Sequence, residues 1–424
     1  MEMRCTPAIL SGKIKAISSK SHAHRVLICS ALANEPTKIN CNVLSKDITA
    51  TLECLKMLGA DIKTEENTIF VNPQKFNEKA EIDCGESGST LRFLLPLVSA
   101  LRIDTIINAH GRLPERPLSQ LKEELEKKGV VFHKNNEYPL HITGNLQSGD
   151  FELAGNISSQ FVSGLLFALP LLKGDSKIRL IPPVESKSYI DITVETLRDF
   201  GIIVEETENT YIIKGNQKYI SPKEITIEGD WSNSAFFLCA GALSKDGVTV
   251  SGLDINSTQG DKKILDILKR MGASVEINGD EITVKKNKLM GTMVNGGDIP
   301  DLVPVVSVMG AMCDKGVTHI VNASRLRLKE SDRIATTESL LSKVGAAVSE
   351  TDDGLVIWGE NDLIGGRADG ANDHRIVMSA AIFSSLCALP VDIVGAEAVS
   401  KSYPHFFEDF NSLGGKANVI NDGK

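Results

Sequence analysis

Apolar positions along the chain gather into short helical stretches, each closed by a glycine and followed by a run in which apolar and polar residues alternate. The marks are LKMLGADI at Gly59, LEKKGVVF at Gly129, LRDFGIIV at Gly201, LKRMGASV at Gly272, LSKVGAAV at Gly345 and FNSLGGKA at Gly414. Glycine suits the left-handed residue that ends a helix. The alternation after it has the period of a strand with one buried face, as in SVEINGDEITV from Ser274 to Val284, where Asn278-Gly279 predicts a hairpin turn. The glycines recur at intervals of roughly 70 residues, too long for a solenoid and right for a small α/β unit. Six copies predict a pseudo-symmetric α/β body with three units to each half. Periodicity alone does not place the boundary between halves. The long apolar runs, Phe161 to Leu172 and Leu302 to Met312, predict buried helices, well short of the roughly 20 residues that span a bilayer.

At 424 residues, two or three domains are expected. With 42% hydrophobic and 24% charged residues the chain is globular, and a net charge of −9 with 5% aromatics opposes a nucleic-acid partner. The opening MEMRCTPAIL has no charged segment leading into an apolar one, so neither a secretory signal nor a membrane anchor is expected. Eight cysteines without a CxxC pair offer neither a metal framework nor a disulfide one, which fits a cytoplasmic protein. Asn-x-Ser/Thr sites at Asn156, Asn256 and Asn322 carry no meaning there.

Short charged or hydroxyl-rich segments interrupt the repeat. Ser18-Ser19-Lys20-Ser21-His22-Ala23-His24-Arg25 precedes VLICSALA, and Gly85-Glu86-Ser87-Gly88-Ser89-Thr90-Leu91-Arg92 precedes FLLPLVSAL. Both open predicted helices, whose free amides and dipole favour an anion. Neither is a phosphate loop of the GxxxxGK[ST] kind. Gly111-Arg112-Leu113-Pro114-Glu115-Arg116-Pro117 offers two guanidinium forks for carboxylate or phosphate. Asn156-Ile157-Ser158-Ser159-Gln160-Phe161 and Ser186-Lys187-Ser188-Tyr189 place hydroxyls before further helices. Arg325 to Arg333 is a dense charge run, joined by Asp301, by Asn372-Asp373-His374-Arg375 and by Lys401. Taken singly, each reads equally as a helix cap or a solvated face. Converging loops of a repeat fold would gather them around an anionic ligand.

In order along the chain, SKSHAHR, GESGSTLRFLLP, GRLPERP, ISSQF, SKSYIDIT, EGDWSNSAFFL, IPDLVP, RLKESDRI and NDHRIVM resemble the signature of the 5-enolpyruvylshikimate-3-phosphate synthase family. The resemblance runs from Lys20 to Lys401. It implies an α/β fold of two similar domains, each of three βαβαββ units in an inside-out α/β barrel, with substrates in a cleft that closes on them. Residues 20–228 would form one domain, on the shikimate 3-phosphate side. Residues 1–19, with a first strand near Arg4 to Leu10, would join 229–424 in the other, on the phosphoenolpyruvate side with the acid–base residues.

The resemblance also implies the reaction, transfer of the enolpyruvyl group of phosphoenolpyruvate to the 5-hydroxyl of shikimate 3-phosphate. Lys20, Ser21, Arg25, Ser158, Ser159, Gln160, Ser186, Asp301 and Lys329 would meet shikimate 3-phosphate. Lys20, Gly88, Arg112, Gln160, Arg333, Arg375 and Lys401 would meet phosphoenolpyruvate. Asp301, Glu330 and Lys20 would be catalytic, with Arg92, Tyr189 and His374 at the edge of the site. Two phosphates and two carboxylates repel one another by about 4 kcal/mol per close pair at an effective dielectric near 20, and these cations would offset that load. No cofactor or metal is expected, the partners are the two small substrates, and a monomer is the expected state.

Two positions depart from the family pattern: Glu86 and Arg325 each stand where asparagine is usual. They bear on affinity and on glyphosate sensitivity, for which Gly88 keeps the expected small residue. The sister activity, enolpyruvyl transfer to UDP-N-acetylglucosamine, would be expected to show asparagine after the early lysine and a cysteine near Arg112; here Ser21 follows Lys20 and that loop has no cysteine. A six-repeat binding scaffold without catalysis is the alternative outside enzymes.

Overall fold

A computed structural model of the chain describes residues 1–133, 138–359 and 362–421. One supersecondary unit is built six times, each around a four-stranded sheet. In the unit that starts at Asp150–Ala154, the helix Ser159–Ala168 leads to the parallel strand Ser176–Ile181. The helix Lys187–Asp199 then leads into the hairpin of Val204–Thr207 and Thr210–Ile213, whose second strand pairs antiparallel with Ser176–Ile181. Sheets with the same order form from Lys79–Asp83, Asp104–Asn108, Leu140–Gly144 and Val130–Phe132, and from Met293–Asn295, Val317–Val321, Gly354–Trp358 and Val348–Thr351.

The remaining three sheets borrow a strand from far along the chain. Thr37–Asn40 takes Glu224–Thr226 as its parallel neighbour, and Val248–Ser251 takes Gly12–Lys15. Glu2–Thr6 lies between Val391–Val394 and Lys416–Asn421, antiparallel to both. Accordingly the chain forms two compact units, Ser18–Ile227 and Met1–Ile17 with Glu228–Lys424. The first strand lies earlier than the expected Arg4 to Leu10, because Pro7 has no amide to donate to a ladder. The segment after it supplies a second strand, Gly12–Lys15, that was not anticipated.

All six repeat glycines adopt φ between +75° and +115°, the left-handed turn that ends each helix. In the hairpin of Ser274–Asn278 and Glu281–Lys285, Asn278 pairs with Glu281, so the loop is Gly279-Asp280, one residue later than expected. The run from Phe161 is the buried end of Ser159–Ala168, which tightens into a 3₁₀ turn at Leu169–Leu171 where Pro170 falls. Every residue of the helix Val303–Ala311 is buried. Among the described residues no helix is long and apolar enough to cross a membrane.

Within Ser18–Ile227, the helices Gly88–Leu101 and Ser159–Ala168 pack at very close range. A side chain on Gly164 would overlap the Arg92 carbonyl oxygen. Pro96, four residues on, has no amide to donate to that carbonyl, and it is there that the neighbouring backbone comes closest. The contact sets the second turns of the two helices against each other.

Candidate active site

In the unit Ser18–Ile227, side chains bind the first turns of several helices together. Lys20 opens the helix Lys20–Leu32, which Ser19 caps by accepting from the His22 amide. Its Nζ lies 2.8 Å from Asp47 Oδ2, in the first turn of Lys46–Leu58, with both side chains mostly buried. Arg25, one turn further on, is 2% exposed. It donates from Nε to Thr193 Oγ1 at 2.7 Å, from Nη1 to the Ser21 carbonyl, and from Nη2 to the Tyr189 carbonyl at 2.7 Å. The guanidinium thus ties the start of Lys20–Leu32 to the start of Lys187–Asp199. Ser186, just before the latter helix, is buried and holds φ +53°, a left-handed conformation that a non-glycine residue adopts only when its surroundings impose it.

Arg92 plays the matching part between the other pair of helices. Its Nη1 donates to Gln160 Oε1 at 2.7 Å and its Nη2 to the Pro117 carbonyl at 3.0 Å, while Gln160 Nε2 donates to Ser89 Oγ at 2.9 Å. Ser158 caps Ser159–Ala168 by accepting from the Gln160 amide, and Ser159, its first residue, is at the border of burial. A Cβ on Gly88 would lie 2.8 Å from Arg92 Nη1 and 3.0 Å from Arg116 Nη1, so two guanidiniums cover that glycine. Glu86 occupies the place where a side chain on Gly111 would go, and Gly111 has φ +57°, so the carboxylate is aimed at the turn that bears Arg112. Arg112 itself is 42% exposed, with Nε 3.6 Å from Glu115 Oε2, and is the site residue least drawn into this network.

In the unit Met1–Ile17 with Glu228–Lys424, the charged residues form one dense cluster around Arg333, 1% exposed. Arg333 donates from Nη1 to Asp301 Oδ1 at 2.6 Å, from Nη2 to Glu330 Oε2 at 2.9 Å and from Nε to Asp373 Oδ2 at 2.8 Å. Arg375 donates from Nη2 to Asp301 Oδ2 at 3.2 Å and from Nη1 to Asn233 Oδ1 at 3.3 Å. Asp373 caps the helix His374–Phe383 by accepting from the Arg375 amide, which puts His374 and Arg375 in its first turn. Lys401 is buried and donates to the Asn372 carbonyl at 2.6 Å, beside the same helix start.

The cluster sets unusual protonation states. Burial pushes the Asp301 carboxyl up, but Arg375, Arg333 and Lys329 outweigh it and hold it well below the usual carboxylate range. Burial, and then the charge of Arg325, lower Lys329 to about 7, against the pull of Asp301 and Glu330. Burial, and then Asp301, raise Asp261 to about 7, with Arg375 opposing. One carboxylate is therefore held ionised beside another whose proton is held up to near neutral pH. Groups with environments that push them apart in this way are the marks of acid–base sites.

The candidate residues named from the sequence thus fall into two sets, one on each compact unit. Lys20, Ser21, Arg25, Gly88, Ser158, Ser159, Gln160 and Ser186 stand at helix starts of Ser18–Ile227, whereas Asp301, Lys329, Glu330, Arg333, Arg375 and Lys401 form the cluster of the other. Sequence reasoning passed over Asp47, Asn233 and Asp261. The first-turn position of Asp47 behind its cap Ser45 was a usable signal. Asp261 lies in a polar 3₁₀ segment, Gly260–Lys263, with no apolar period to suggest that it is buried.

The fold is that of the enolpyruvyl transferases. An enolpyruvyl transferase from Streptomyces tendae superposes with a TM-score of 0.79 at 17% identity, over 98% of each chain, a likeness of fold alone. EPSP synthase from Acinetobacter baumannii superposes with a TM-score of 0.82 at 25% identity, over 99% of this chain and all of the other. The model of the family EPSP synthase (3-phosphoshikimate 1-carboxyvinyltransferase) matches residues 5–410. A 3-phosphoshikimate 1-carboxyvinyltransferase of Clostridium kluyveri is 45% identical over 99% of this chain and 98% of its own, and one of Clostridium perfringens 43% identical over 97% of each. The chain belongs to the EPSP synthase family of transferases.

Proposed function

We propose that this chain joins phosphoenolpyruvate to the 5-hydroxyl of shikimate 3-phosphate, giving 5-enolpyruvylshikimate 3-phosphate and phosphate, and that the residues above do so in specific roles. The observation that carries the reading is Asp301, a carboxylate kept ionised between Arg333 and Arg375, with Glu330 held by the same Arg333.

Asp301 takes the proton of the 5-hydroxyl as its oxygen bonds to the central carbon of phosphoenolpyruvate. Glu330, entering the step as the protonated carboxyl, delivers that proton to the methylene carbon, giving a tetrahedral ketal. Glu330 then takes a proton back from the new methyl group while the carbon–oxygen bond to phosphate breaks. The proton held by Asp301 leaves with the phosphate, and the atoms balance on side chains alone. Acid and base each act once in both directions, which suits a pair that one arginine holds in fixed geometry. A carboxylate as strongly stabilised as Asp301 is a poor base. The carboxylate of phosphoenolpyruvate would compete for Arg333 and Arg375, and would restore basicity to Asp301 when both substrates are present.

Ser18–Ile227 carries the shikimate 3-phosphate side. Ser158, Ser159 and Ser186 hold its phosphate at helix starts, Lys20, Ser21 and Arg25 meet shikimate 3-phosphate with Lys20 reaching phosphoenolpyruvate too, and Arg25 keeps Ser21 and Tyr189 in register. Gly88, Arg112, Gln160, Arg333, Arg375 and Lys401 receive phosphoenolpyruvate, and Lys329 steadies the shikimate ring. The reading takes the protein as a cytoplasmic monomer with these two small molecules as its partners. The test is phosphate release with each substrate omitted in turn. Release that needs both supports the reading, whereas release with UDP-N-acetylglucosamine in place of shikimate 3-phosphate would move the chain to the sister activity.

A further inference from the structure

Arg325 is a charged side chain only 7% exposed. It lies in the 3₁₀ segment Ser324–Leu328 and donates from Nη2 to the Gly297 carbonyl at 3.0 Å. Gly297 belongs to a tight turn between the strand Met293–Asn295 and Asp301. In that turn the Gly297 amide donates to Asn295 Oδ1 at 3.0 Å and the Ile299 amide to the Gly296 carbonyl at 3.2 Å. The turn is packed to contact, since a Cβ on Gly296 would come within 3.0 Å of Ala323 and Val303 side-chain carbons. On the other side, the amides of Leu326 and Lys329 donate to the carbonyls of Ala323 and Leu326, at 2.8 and 3.4 Å. One side chain therefore clasps two loops, the first ending in Asp301 and the second in Lys329 and Glu330.

We propose that Arg325 is a positioning residue for the reaction: through Gly297 it clamps the turn that delivers Asp301 to the segment that delivers Lys329 and Glu330, with its own charge standing beside Lys329. The inference rests on the roles assigned above to those three residues. Of the charged groups that act on Lys329, Arg325 and Arg333 disfavour its proton, while Asp301 and Glu330 favour it. Arg333 is engaged by three carboxylates. After burial itself, Arg325 does most to bring Lys329 into the neutral range. A clamp of this kind couples the placement of the acid–base pair to the charge of the ring-binding lysine.

The test compares the native chain with Arg325→Asn and Arg325→Lys. The pH at which Lys329 becomes reactive towards an acylating reagent, read by peptide mass spectrometry, needs no turnover. The pH profile of kcat/KM for shikimate 3-phosphate is read alongside. In the native chain Lys329 should titrate near 7. Arg325→Asn should move that titration, and the basic limb of kcat/KM, up by about one pH unit or more and lower kcat by about tenfold. Arg325→Lys should leave the titration in place. An unmoved titration in Arg325→Asn, or an equal shift in both variants, overturns the proposal. If Arg325→Asn loses its cooperative unfolding transition, Arg325→Gln takes its place. A native chain that releases no phosphate would sink the reaction reading and with it the positioning role, while the Lys329 titration would still decide whether the charge of Arg325 sets that of Lys329.

Discussion

At the scale of single residues, the chemistry depends on how burial and neighbouring charge divide a few carboxylates between two states. Asp301 is ionised because two guanidiniums bond it, and removing its charge while keeping its shape should leave Arg333 and Arg375 in place and abolish the base. Asp301→Asn is expected to fold and to lose at least about 100-fold in turnover; native-like turnover would remove Asp301 from its role. Asp261 is the opposite case. Its carboxyl rises from about 4 in the unfolded chain to about 7 in the fold. The folded state therefore binds the extra proton between those values, and stability falls as pH rises through that window. Asp261→Asn, neutral at every pH, should raise the melting temperature more at pH 8 than at pH 5, and an equal effect at both would contradict the burial argument. The charged members of the cluster were legible in the sequence because arginine, lysine and carboxylate stand out in short motifs. Asp261 was not, because its importance comes from residues such as Asp301 and Arg375 that only folding brings near.

At the scale of elements, the six glycine-closed helices and the alternating runs after them were legible because backbone handedness and one-sided burial leave their period in the sequence. The close contact of Gly88–Leu101 with Ser159–Ala168 was not legible. Gly164 looks like any helical glycine until the Arg92 carbonyl is found against it, and Pro96 looks like an interruption until it is seen to stand four residues after that carbonyl, with no amide to donate to it. Gly164→Ala puts a methyl group into that carbonyl and is expected to cost about 1–3 kcal/mol in denaturant unfolding. It should also raise KM, because the Arg92–Gln160 bond spans the same two helices. A variant with unchanged stability would mean that the helices part without cost. Glu86 teaches the same lesson. Read alone it is a carboxylate in an anion-binding loop, whereas in the fold it fills the space over Gly111.

At the scale of the whole molecule, the repeat predicted three units to each half, and periodicity could not say where the chain passes from one to the other. The answer lies in strand pairing. Ser18–Ile227 is one continuous stretch with its own hydrophobic core, while Glu228–Lys424 needs Glu2–Thr6 and Gly12–Lys15 to complete two of its three sheets. Residues 18–227 expressed alone should therefore unfold cooperatively. Residues 228–424 should not, unless residues 1–17 are fused to them by a linker. Hydrogen exchange on the three fragments checks this, and a cooperatively folded 228–424 would contradict the pairing. The function proposed for the entire chain makes a sharper demand, because adding and then removing a proton at the methylene carbon must scramble that carbon's hydrogens with solvent. The measurement is turnover of phosphoenolpyruvate and shikimate 3-phosphate in deuterated water, with phosphate release and the deuterium content of the vinyl group read together. The account expects release only when both substrates are present, with deuterium in the methylene position of the product. Phosphate released without deuterium there, or without the second substrate, would contradict it.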